Sequence, residues 1–174
     1  MAETQPESQP QTQAKPALTV LSQYIKDLSF ENPNAPGILT EMAQNQPQMN
    51  INLNVTNRMI DAEQYEVVLS LKTKADVGEK VGFVAELDYA ASVRITEGLK
   101  PEIKEILLAV QVPQLLFPFA RQLLSETTSQ AGYPPLLINP VDFQGMLIRA
   151  KQQAAAQKEA EKETDPEAVA QGDA

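Results

Sequence analysis

The chain contains no cysteine and no histidine. Without cysteine there is no disulfide and no thiol chemistry. Without histidine, the commonest general base and the commonest metal ligand are both missing. A Ser-His-Asp triad, a Cys-His pair and an ordinary zinc site are therefore excluded. Tryptophan is absent too, and aromatic residues make up only 5% of the 174 positions. The seven glycines form no nucleotide-cradling loop. No cofactor is expected.

Charge of one sign is also scarce. Fourteen basic residues face 23 acidic ones, for a net charge of −9. Phosphate recognition needs clustered Lys and Arg, so nucleic acid is excluded as the main partner, and an anionic membrane surface is disfavoured. Met1–Pro16 has no basic start and no apolar run, so it is not a secretory signal. No apolar span of membrane-crossing length is expected, and no direct membrane insertion. These readings place the protein in the cytoplasm.

What is present is a domain with tails. Residues 1–17 are rich in Gln and Pro and read as a disordered tail, residues 18–152 as one domain, and residues 153–174 as a tail that begins helical and stops near Thr164-Asp165-Pro166. Within the domain, Met49, Ile51, Leu53 and Val55 alternate with Asn50, Asn52 and Asn54, the period of a half-buried strand. Tyr65, Val67, Leu69 and Leu71 repeat the pattern. After a turn near Asp76–Glu79, Val81, Phe83, Ala85, Leu87 and Tyr89 do so again, with Val84, Glu86 and Asp88 on the opposite face. Short links between these runs predict an antiparallel meander.

Leu18–Glu31 supports two readings. Leu18, Leu21, Ile25 and Leu28 fit a helical stripe. As a strand, Leu18, Val20, Tyr24, Leu28 and Phe30 share one face, and Asp27, Ser29 and Glu31 the other.

Leu99–Gln130 is helical, but Pro113 and Pro118 predict a break after about Val112. Gly132 suits a C-terminal cap, and Asp142 an N-cap for a last helix. Strands followed by helices imply an α+β fold.

Acid pairs such as Glu63 with Glu66 and Glu102 with Glu105 are expected on solvated faces. Ile38 and Leu39, in a loop after Pro36-Gly37, and the segment Tyr133–Ile138 put apolar residues in irregular chain. Such residues either close over the core or line a groove for extended apolar peptides. Asp27, Ser29, Glu31, Glu86 and Asp88 form either a plain solvated face or an acidic dock for a basic partner.

Four segments, in order, resemble the SecB family of bacterial export chaperones: Lys26–Glu31 with Pro33–Pro36, Tyr65–Leu69, Phe117–Arg121 and Pro140–Phe143. The resemblance implies a four-stranded antiparallel sheet whose first strand carries Asp27, with a long helix and a C-terminal helix packed on one face. It implies a crossover segment, about Asn32 to Gln46, leading to the second strand. It also implies a homotetramer (a dimer of dimers) that is not an enzyme. Such a protein holds non-native precursor proteins without ATP and passes them to the motor SecA. The SecA contacts fall on Asp27, Ser29, Glu31, Val84 and Glu86. Client contacts fall on Ile38, Leu39, Met49, Ile51, Leu53 and Phe143. Two alternatives are a SecB-like holdase for another client, such as an antitoxin, and a non-chaperone α+β ligand-binding domain.

Overall fold

A computed structural model describes residues 16–164, with side chains as far as residue 157. Most of the N-terminal tail and residues 165–174 lie outside the described residues.

Four strands form one antiparallel sheet in the order β1-β4-β3-β2. They are β1 (Leu18–Glu31), β2 (Gln48–Met59), β3 (Gln64–Val77) and β4 (Lys80–Ile95). The expected meander is β2-β3-β4, and β1 adds to its β4 side. The β3–β4 hairpin turns at Gly78, whose φ of 58° favours glycine. The β2–β3 turn is tied by Asp61, whose Oδ1 accepts the backbone N–H groups of Glu63 and Gln64.

Period-two alternation makes the sheet two-faced. Val67, Leu69 and Leu71 of β3 and Phe83, Ala85, Leu87 and Val93 of β4 are buried on one face. The helices cover that face only. α2 (Pro101–Ile106) passes through a widened π segment, Leu107–Gln111, into α3 (Val112–Gln130). The expected break is therefore replaced by one continuous helical stretch, Pro101–Gln130. The π turn lies just before Pro113, whose ring would otherwise clash with the carbonyl four residues back. Pro118 is held inside α3. Val112, Leu116, Ala120 and Leu124 pack into the core.

By length and composition this stretch could cross a membrane, contrary to the sequence expectation, but it is a core element with 44% of its most apolar window buried.

β1 is a strand with two irregularities, between Val20 and Ser22 and between Ile25 and Asp27. Each inserted residue flips the strand's parity. The two flips cancel, so Leu18, Val20, Leu28 and Phe30 share the helix-covered face as the simple alternation predicts. Tyr24 lies between the flips and sits opposite Ala90, on the open face. That corrects its expected placement.

The crossover from one sheet edge to the other is not a plain loop. It holds α1 (Gly37–Gln44), which is too short to show a clear period in sequence. Its Ile38 is only 1% exposed, and Met42 Sδ lies over Gly82, where a Cβ would approach it to 2.7 Å.

The last helix, α4 (Phe143–Thr164), starts where Asp142 Oδ1 accepts the Gly145 N–H at 2.9 Å, the expected N-cap. It runs unbroken past residue 152, the expected end of the domain.

Candidate functional site

Among the described residues, no helix lies over the open face. Cross-strand pairing sets Ser29 beside Glu86, Glu31 beside Val84 and Asp27 beside Asp88. Asp27, Ser29 and Glu31 are exposed, and Val84, Glu86 and Asp88 half-buried. The five residues expected to form a dock are thus brought onto one patch. The next strand over is basic: Lys72 pairs with Glu86 at 3.0 Å. Lys74 pairs with Asp76 at 3.0 Å. Among the described residues Asp27, Glu31 and Asp88 form no ion pair, so the negative field is strongest along β1.

Toward the other end of this face lies a cluster that the sequence reading missed. Glu66 was expected on a solvated surface but is 3% exposed. Its carboxylate accepts Tyr24 O–H at 2.5 Å, Lys26 Nζ at 2.8 Å and Arg58 Nε at 2.6 Å. Arg58 first, then Lys26 and Tyr24, stabilise the charged form and hold its pKa down at about 2. The same carboxylate raises the Tyr24 pKa. Ala90 and Ser92 of β4, small and buried, leave room for Tyr24 and Lys26 to reach across that strand. No sequence period signals this, because the partners come from three strands and one stands at a bulge.

On the helix-covered face, Met49 and Ile51 of β2 remain 38% and 40% exposed, and Leu53 and Leu39 are half-buried. Two apolar depressions lie along β2. One, of about 190 Å³, joins Met49 to Met42, Pro47, Phe83 and the Tyr133–Leu137 segment. The other, of about 140 Å³, joins Val55 to Ala109, Phe143 and Met146. Two residues assigned to the client surface face inward instead. Ile38 belongs to the core, and Phe143, 2% exposed, packs edge-on against Phe117. The proline-rich segment does both things considered for it. Tyr133 is buried among Phe30 and Phe83, its hydroxyl 2.6 Å from Asn32 Oδ1 and 2.9 Å from Gly82 O. Leu137 is 77% exposed.

An α+β sheet with one acidic open face and apolar depressions along an edge strand has the build of a binding protein. The comparisons agree. The family model described as "Preprotein translocase subunit SecB" matches residues 11–154. A protein-export protein SecB of Rhodopseudomonas palustris (strain HaA2) is 45% identical over 83% of this chain and 92% of its own length. That of Agrobacterium fabrum is 44% identical over 83% and 91%. That of Parvibaculum lavamentivorans is 43% identical over 80% and 82%. Among solved structures, the Mycobacterium tuberculosis Rv1957 SecB-like chaperone, in complex with a ChAD peptide from the Rv1956 HigA1 antitoxin, shares the fold. Its TM-score is 0.60 at 15% identity, over 72% of this chain and 91% of that one. The chain belongs to the SecB family of protein-export chaperones.

Proposed function

We propose that the protein is a cytoplasmic, ATP-independent holdase that is not an enzyme, and that it captures non-native precursor proteins along β2 and delivers them to SecA. The carrying observation is the pair of apolar depressions flanking Met49–Val55 on an edge strand. An edge strand offers unpaired backbone groups, and its exposed apolar residues offer burial. Together they suit extended, unfolded chain and reject folded proteins, which hide both. Met49, Ile51 and Leu53 carry the contact, with Leu39 and Leu137 at its margin. Ile38 and Phe143 act by packing the groove walls.

SecA docks on the acidic patch of Asp27, Ser29, Glu31, Val84 and Glu86. The mixed field of unpaired acids on β1 and a lysine-paired Glu86 suits a basic, complementary partner. The working unit is a homotetramer, a dimer of dimers. Ile25 and Leu28 on the β1 edge, and Ile103, Ile106, Leu115 and Phe119 on the helix, are all over a third exposed in the single chain. Their burial between subunits accounts for an apolar helix that a single sheet does not cover.

The test is direct. Nucleotide-free protein is expected to suppress aggregation of an unfolded precursor and not to bind that precursor once folded. Sizing by light scattering is expected to give a tetramer alone and a larger species with SecA. A monomer at micromolar concentration, or ATP-dependent suppression, refutes the proposal.

A further inference from the structure

We propose that Glu66 is a positioning residue for the acidic dock: by gripping Tyr24 and Lys26, it locks the β1 bulge that turns Asp27, Ser29 and Glu31 onto the open face. The inference rests on the docking reading above.

Parity carries it. Ile25 sits opposite Tyr89 on the helix-covered face, and the register then shifts so that Asp27 pairs with Asp88. Lys26 is the inserted residue. Without the insertion, alternation would send Asp27, Ser29 and Glu31 toward the helices and Leu28 and Phe30 to solvent. The chain holds the insertion from both sides. Tyr24 before it and Lys26 within it both reach over β4 to Glu66 on β3, at 2.5 and 2.8 Å. Arg58 on β2 braces the carboxylate from the far side at 2.6 Å. At the other end of the flipped segment, Phe30 stacks on Phe83 with ring centroids 5.4 Å apart, which only the bulged register allows. A buried carboxylate and a buried aromatic ring thus clamp the segment that presents the acids.

The absence of cysteine makes the test clean, since an introduced cysteine is the sole thiol. In the full-length chain, Ser29→Cys labels readily with a maleimide in the present register. Adding Lys26→Met or Glu66→Gln is expected to slow that labelling. Lys26→Arg, which keeps the bond to Glu66, is expected to restore the rate. SecA affinity, measured by calorimetry without the cysteines, is expected to fall by about tenfold in Lys26→Met, the scale of losing a well-placed interfacial charge contact. The sign separates this from bulk electrostatics. Removing a lysine from an acidic patch should tighten a basic partner if charge alone mattered.

Unchanged labelling in both variants, shown to be folded by circular dichroism, overturns the lock even if SecA binding weakens. Unfolding of both variants overturns it too, because the cluster is then a requirement of the fold itself. Changed labelling with unchanged SecA affinity supports the lock and refutes the docking reading. Asp27→Lys tests that reading independently.

Discussion

β2 and β3 pair residue for residue, yet they have opposite fates. Leu53 sits beside Leu71, Ile51 beside Thr73 and Met49 beside Ala75. Leu71 and Ala75 are fully buried and Thr73 is 1% exposed, whereas Met49 and Ile51 are more than a third exposed. Both strands alternate across these paired residues, with Val68 the one break further along β3, so the difference is not in their pattern. It arises because α3 crosses β3 and β4, while β2 lies beside the π segment and the first two turns of α4. The central strands use their apolar face to fold the chain. The edge strand leaves the same kind of face partly exposed, which the proposed function assigns to clients. Alternation therefore reports that a residue will be covered, but not by what.

The contrast is broken most forcefully at the centre. Leu71→Ala removes a fully buried side chain and is expected to cost about 2–5 kcal/mol in urea unfolding. A loss under about 1 kcal/mol would mean the centre is no more structural than the edge.

Glu66→Gln should rank second, at about 1–2 kcal/mol, because charged hydrogen bonds are lost from a buried site whose cations stay partly solvated. The Glu66 pKa is depressed from 4.5 to about 2. Its contribution is thus fully present above pH 4.5 and lost as pH falls toward 2. The variant's stability should fall less steeply across that window than the parent's. Parallel acid-denaturation curves for the two proteins would sink the assignment.

Ile51→Asp on the edge should change stability by about 1 kcal/mol or less, the surface range, while capture of an unfolded precursor drops. If instead the variant unfolds, Ile51 is core and the contrast between the strands disappears. Asp27→Lys and Glu86→Lys should be smallest in stability, within about 0.5 kcal/mol. Both should weaken SecA binding, more so at low salt. Unchanged affinity in both would move the dock off this face.

Much of this was legible in the sequence. The three later strands, the Asp142 cap and the stop at Gly132 follow from local periodicity and turn chemistry, which act over a few residues. The acids Asp27, Ser29 and Glu31 were also separable from Leu28 and Phe30, because that stretch of β1 alternates cleanly beyond its second bulge. Three features were not legible. Tyr24 was placed on the wrong face because two inserted residues cancel in the ends of β1 and leave no trace in an average period. The break expected near Val112 became a π turn, which accommodates the Pro113 ring without ending the helix. Ile38 and Phe143 were assigned to a client surface, yet α1 and the first turn of α4 point them into the core.

By itself, the sequence determined the classes of chemistry this protein cannot perform, the α+β order of its elements and which residues of the three later strands share a face. Those properties depend on side-chain identity and on neighbours two to four positions away. Only the tertiary structure decided that Glu66 is a buried hub and not a surface acid, that β1 carries its acids outward through a bulge, and that the apolar face of β2 stays partly uncovered. Each depends on contacts between strands and helices distant in the chain, where the geometry of packing, not the local pattern, sets which groups lose their water.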